Sequence, residues 1–218
     1  MVKYLSRKDA LEALRKMKSF HDDLDGVMKK NGFDLLENLG RRNILLSQAQ
    51  EKYFAEELAK KYKVTSDGRT GEPDIFIESL NRELECKLTS RHKSGSISFQ
   101  TDYETLLKKG RLDYLYVVAN DVFDEFAVIL YEDLTISDFR KLSSGARGKT
   151  QMMKHSSHDR ANVLVGSMVS INENELSKLQ KKLEKASTTG QKTKIQNSIN
   201  YWKNSPTKFK IITEAVNA

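Results

Sequence analysis

The residues best suited to chemistry in this 218-residue chain are Pro73-Asp74 and, after ten intervening residues, Glu85-Cys86-Lys87. Residues 74–78 and 83–89 read as two strands joined by a tight turn near residues 79–82, a β-hairpin. Side chains alternate along a strand, so Leu84, Cys86 and Leu88 point to one face and Glu83, Glu85, Lys87 and Thr89 to the other. Asp74, Glu85 and Lys87 then project from adjacent strands into one polar pocket. Two carboxylates suit Mg²⁺, which prefers one or two of them plus waters and phosphate oxygens to an all-protein cage. Such an ion polarises a phosphodiester and acidifies a bound water, while the lysine steadies that water. Metal-assisted hydrolysis is the expected chemistry. The plain alternative is a surface hairpin in which Glu85 and Lys87 pair in solvent and Pro73-Asp74 is a turn.

The elements that must position these residues follow from periodicity. Ser6-x-x-Asp9 is a capping-box start, and Ala10, Leu11, Leu14 and Met17 give an amphipathic helix over residues 6–18. A second short helix should end at Asn31-Gly32. A longer helix over residues 43–63 has Leu46, Tyr53, Phe54, Leu58, Ala59 and Tyr62 as its inward stripe. Residues 65–71 carry turn chemistry and end this helical part, residues 1–64. After the hairpin come a helix over 100–109 closed by Gly110, two apolar strands at 112–119 and 125–131, a helix near 135–142 and a strand at 162–171. The first of those apolar strands is expected to be buried on both faces. Residues 173–204 read as a helical hairpin, with Leu176, Leu179 and Leu183 on one helix and Ile195, Ile199 and Trp202 on the other, before an edge strand at 208–212. The fold expected is α/β, a mixed central sheet flanked by helices with the helical hairpin as an embellishment. It forms a single domain over residues 1–218 with a core of about residues 44–171.

At Gly71-Glu72-Pro73-Asp74-Ile75 and Glu85-Cys86-Lys87 the chain resembles the PD-(D/E)xK nuclease superfamily, whose element order matches residues 44–131. The resemblance implies a restriction-endonuclease-like core in which Asp74 and Glu85 bind Mg²⁺, with Mn²⁺ as a substitute, and Lys87 assists the nucleophilic water. Members often take another acidic ligand from the preceding helix. Glu51, Glu56 and Glu57 are the candidates here, Glu51 first because its helix face avoids Tyr53 and Phe54. Many also use a polar residue on the helix after the Glu-x-Lys strand, which points to Gln100. In size and plan the chain is similar to a small type II restriction endonuclease. That similarity implies a homodimer cutting double-stranded DNA at a short, palindromic sequence, with a cognate DNA methyltransferase acting on the same site.

Charge agrees with a polyanionic partner. Lys+Arg number 37 against 30 Asp+Glu, a net +7. Between Arg140 and Arg160 six basic residues and two histidines face one carboxylate, in a stretch loosened by Ser143-Ser144-Gly145 and Gly148. Arg147, Lys149, Lys154, His155, His158 and Arg160 are the expected phosphate or base contacts there, and Gln151 and Asn162 could read adenine. Arg91, His92 and Lys93, leaving the catalytic strand, form a second DNA-facing candidate. Each stretch is equally readable as a solvated basic loop. The lysines of residues 173–204 suggest either an arm laid along DNA or, through its leucines, a dimer contact.

Other classes are excluded or disfavoured. One cysteine rules out an intrachain disulfide framework and a cysteine-based zinc cluster. No apolar run approaches the length of a membrane span, and the first residues lack an apolar signal core, so a cytoplasmic protein with no membrane partner is expected. His21-Asp22-Asp23 resembles an HD metal motif but lacks a second histidine at the needed spacing. Two competitors remain: a structure-specific repair or recombination nuclease using the same triad, and a non-catalytic DNA-binding protein.

Overall fold

A computed structural model describes residues 3–66, 73–90, 97–142, 148–204 and 209–217. The chain opens with α1 (Arg7–Lys30), whose capping box joins Ser6 and Asp9, the Ser6 amide donating to Asp9 Oδ2 at 2.9 Å. Asn31 and Gly32, the latter at φ 80°, end it in the left-handed turn expected of a glycine C-terminus. Helix 6–18 and its short successor are one element. The inward stripe Ala10, Ala13, Leu14, Met17 continues through a buried histidine, His21, which stacks on Phe123 at 4.7 Å. Capped by Asn38, α2 (Leu39–Ala59) buries Leu46, Phe54 and Leu58. Its Arg42 is fully buried: the guanidinium donates to the carbonyls of Asn120 and Asp121 and to Ser90 Oγ, and stacks over Phe123. This anchor ties the helix to the far ends of two central strands.

The strands follow as β1 (Val64–Thr65), β2 (Ile75–Ile77) and β3 (Arg82–Ser90), then β4 (Gln100–Asp102) and α3 (Tyr103–Lys109), then β5 (Arg111–Ala119) and β6 (Glu125–Thr135). Beyond them lie β7 (Lys149–Gln151), α4 (Lys154–Asp159), β8 (Asn162–Val165), β9 (Ser167–Ser170), α5 (Ile171–Lys185), α6 (Thr189–Asn204), β10 (Phe209–Ile212) and β11 (Glu214–Ala215). Among the described residues the main sheet has seven strands in the order β1-β2-β3-β5-β6, with β8 and β11 sharing the far side of β6. Only β3 and β5 run parallel, so the sheet is mixed and the chain must cross over between them.

Two cores sandwich this sheet. On one face α1 and α2 bury Leu14, Met17, Leu46 and Phe54 against Ile75, Leu84, Leu115 and Val117. On the other, Phe99, Leu106, Phe139 and Met152 cover Tyr114, Tyr116 and Tyr131. The expected burial of β5 on both faces holds, every residue from Leu112 to Ala119 being buried.

Two expected elements are replaced. The helix near 135–142 is a single 3₁₀ turn, Ile136–Asp138, because β6 runs on to Thr135 and the Thr135–Asp138 capping box closes after one turn. The strand 162–171 is split at Gly166 (φ 75°), where a Cβ would lie 2.4 Å from the Ile212 carbonyl, so β8 stays on β6 while β9 turns away to pair with β10.

The end of the sheet is locked by one buried carboxylate. At an irregularity in β5, Asp113 accepts from Tyr4 Oη at 2.9 Å, from Arg82 Nε at 2.6 Å and from the Asp133 amide at 2.7 Å. Asp113→Ala leaves the buried Tyr4 hydroxyl and the Asp133 amide without their acceptor, while Arg82 keeps Asp133 at 2.9 Å. It should cost about 2–3 kcal/mol, read as a lower urea midpoint with an unchanged m-value.

Candidate active site

The site forms where β2 stops short. Its ladder with β3 reaches only from Ile77↔Arg82 to Ile75↔Leu84, so the edge of β3 beyond Leu84 has no β2 partner. Asp74, the residue before β2, turns its carboxylate onto that edge, and Oδ2 accepts the Cys86 amide at 2.7 Å. A side chain thus takes the bond that a longer strand would have made. Glu85 and Lys87 project from β3 on the face shared with Tyr114 and Tyr116, their parallel-ladder partners on β5. Lys87 Nζ lies 2.9 Å from Glu85 Oε2 and 3.9 Å from Asp74 Oδ2, between the two carboxylates. The alternation expected of the hairpin is observed, with Leu84 and Cys86 in the opposite core.

The upstream glutamates separate by their partners. Glu56 and Glu57 both pair with Lys16, and Glu57 also with Lys60. Glu51 instead faces the site. Burial and the charges of Asp74 and Glu85 push its carboxyl up to about 7, against the pull of Lys87. Asp74 is raised too, by burial and then Glu85, with Lys87 and the Cys86 amide opposing. For Lys87, burial works against the charge, but Glu85 and Asp74 outweigh it and the ammonium is held above its ordinary range. Lys87 is therefore a cation at neutral pH. Burial, then Asp74, drives the Cys86 thiol well above its usual value, which removes it as a nucleophile.

This donor set fits a hard cation held by few protein ligands. Asp74 and Glu85 supply two carboxylates, and the raised Asp74 and Glu51 record crowded negative charge that a divalent ion would relieve. No group of three or more His, Cys, Asp or Glu side chains close enough to hold a metal occurs among the described residues. His21-Asp22 is no such site either: its imidazole lies in the core, where burial lowers its pKa.

Gln100 is not on a helix. It lies in β4, opposite Gln151 of β7, because Asp102 caps α3 by accepting the Thr105 amide and the helix begins only at Tyr103. Its carbonyl accepts from Tyr116 Oη at 2.8 Å, and Thr101 Oγ1 lies 2.7 Å from Tyr114 Oη. Two phenols thus mount the β4–β7 ribbon over the strand positions that flank Glu85 and Lys87. That ribbon carries Lys149 and Gln151 exposed, Gln151 donating to Ser98 Oγ.

The remaining expected DNA contacts divide. Lys154 and His155 are exposed on α4. His158 stacks on Phe209 with centroids 3.7 Å apart and bonds to Asp159. Arg160, exposed at the end of α4, pairs with Asp138 at 2.8 Å and donates to the Glu132 and Asp133 carbonyls. Arg91, His92, Lys93 and Arg147 lie outside the described residues. Sequence reasoning missed Ser47, Gln48 and Lys52, which with Glu51 and Asp74 line an open cleft of about 820 Å³ along α2. Ser47 and Gln48 carried a signal, lying one helical turn before Glu51 at i−4 and i−3, whereas Lys52, the next residue, carried none.

No protein-family model matches the chain, and no curated protein matches it in sequence.

The Glu51 shift sets a sign for stability. Unfolded, Glu51 titrates near its ordinary 4.5; folded, it keeps its proton to about 7. Between these values the folded state binds more protons, so stability declines as pH rises through the window and the loss is complete above it. Glu51→Gln should flatten that decline, by on the order of 1–2 kcal/mol after solvent screening. Urea midpoints of both proteins at pH 5 and pH 8 in a chelator check it.

Proposed function

We propose that the chain is a metal-dependent nuclease hydrolysing phosphodiester bonds in duplex DNA, built on a restriction-endonuclease-like core. The observation that carries this reading is the meeting of Asp74, Glu85 and the Lys87 ammonium at one open strand edge, with Glu51 beside them. Asp74 and Glu85 would hold Mg²⁺, or Mn²⁺ in its stead. When bound, the ion supplies Lewis acidity to a phosphate oxygen and lowers the pKa of a water. Asp74 is kept in one orientation by the Cys86 amide, so its carboxylate enters the reaction already positioned. Lys87 stays protonated, so it is no general base. Its role is to donate hydrogen bonds to the attacking water and to the charge that grows on phosphate oxygens as the water oxygen bonds to phosphorus and a phosphorus–sugar oxygen bond breaks.

Within this reading the finer assignment is a type II restriction endonuclease: a homodimer whose two sites each cut one strand of a short, palindromic sequence, protected in its host by a DNA methyltransferase. A mixed sheet flanked by helices and the exposed Lys149, Lys154 and His155 support it. Among the described residues no helix is long and apolar enough to cross a membrane.

Digestion of a long duplex of known sequence tests the proposal. Wild type with Mg²⁺ should yield discrete fragments, EDTA should prevent them, and Asp74→Ala, Glu85→Ala or Lys87→Ala should lower the rate by roughly 10²–10³-fold or more. Fragments that persist in EDTA or with Asp74→Ala would overturn the site. An intact duplex together with a cleaved four-way junction would move the enzyme to a structure-specific class.

A further inference from the structure

The helical hairpin is only lightly joined to the rest of the molecule. Its helices α5 and α6 pack mainly on each other, with a contact to β10, and Asn172 donates across the pair to the Trp202 carbonyl. Leu176, Leu179 and Leu183 are half-buried toward this seam, and Ile199 is buried. Part of the apolar surface that could have served a dimer is therefore used within the arm.

What remains outside is charge of one sign. Lys178, Lys181, Lys182 and Lys185 are spaced i, i+3, i+4 and i+7 along α5, all exposed, on the face turned away from the leucine stripe. Only Lys178 finds a carboxylate, Glu175 at 2.7 Å; among the described residues no acid pairs with Lys181, Lys182 or Lys185. The helix dipole accounts for Lys182 and Lys185 in the last turn, but not for Lys178 and Lys181 farther back. Like charges at these spacings repel within the helix. Among the described residues, Glu175 and the helix C-terminus are what offsets this charge.

We infer that this lysine face of α5 is a docking surface for the phosphate backbone of duplex nucleic acid, separate from the Asp74–Glu85–Lys87 site. Seven residues of helix span about 10.5 Å, over which one strand of a duplex presents about three phosphates. An anionic lipid surface fits less well. A helix lying on a membrane buries an apolar face in it, and the apolar face of α5 is turned against α6. The inference rests on the reading that the substrate is duplex DNA, but not on catalysis.

The test is binding of the full chain, in EDTA, to a fluorescein-labelled duplex, followed by anisotropy across a salt series. Replacing the four lysines together by glutamine should weaken binding at least tenfold at low salt and reduce the slope of log affinity against log salt by about 3. Replacing them by arginine should leave both unchanged, and the far-ultraviolet circular dichroism of all three proteins should coincide. An unaltered slope in the glutamine variant would overturn the inference, as would wild-type binding to phosphatidylserine vesicles but not to duplex, or to neither. Cleavage with Mg²⁺ is scored separately on the same proteins. Lysine-dependent binding without cleavage sinks the nuclease reading alone, and cleavage with lysine-independent binding sinks this inference alone.

Discussion

The bond between the Asp74 carboxylate and the Cys86 amide is the constraint on which the site depends. A strand edge left bare inside a protein costs free energy unless each amide finds an acceptor. Here the missing acceptor is an ionisable side chain from the end of β2, so satisfying the backbone and positioning a carboxylate are one act. A β2 longer by a residue or two would complete the ladder and displace Asp74 from the edge. Because Glu85 and Lys87 flank Cys86 on β3, the same bond sets the spacing of the three charged groups.

Around this edge the rest of the molecule acts as a frame. The fully buried Arg42 anchors α2 to the turn after β5 and to the end of β3, which carries Glu51 to the site. From the opposite face Tyr114 and Tyr116 hold the β4–β7 ribbon over strand positions beside Glu85 and Lys87. The charged cluster is therefore bordered by parts far apart in sequence. Burial there, and after it the neighbouring carboxylates, push the carboxyls of Asp74 and Glu51 upward together.

Much of this was legible in the sequence where local physics decides. The alternation Leu84, Glu85, Cys86, Lys87, Leu88 announces a half-buried strand, and Ser6 with Asp9 announces a helix start. The failures come where tertiary structure overrides a local pattern. His21 continues an apolar stripe while being polar, so α1 reads as two helices. Gln100 reads as helical because nothing local reveals that β7, some fifty residues later, pairs with residues 100–102. Gly166 reads as one more strand residue, since the Ile212 carbonyl that forbids a side chain there comes from the distant end of the chain. Glu51 could be preferred over Glu56 and Glu57 by helix face alone. That Lys16, on another helix, occupies the other two is a fact of packing.

The burial of Cys86 has a use beyond the reaction. Its thiol is the lone one in the chain, lies buried against the helix layer, and sits on the strand between Glu85 and Lys87. An alkylating reagent can reach it only when β3 parts from the helices that cover it. The labelling rate of the native protein is thus an intrinsic clock for openings of the strand that carries the charges, with no probe to be engineered in.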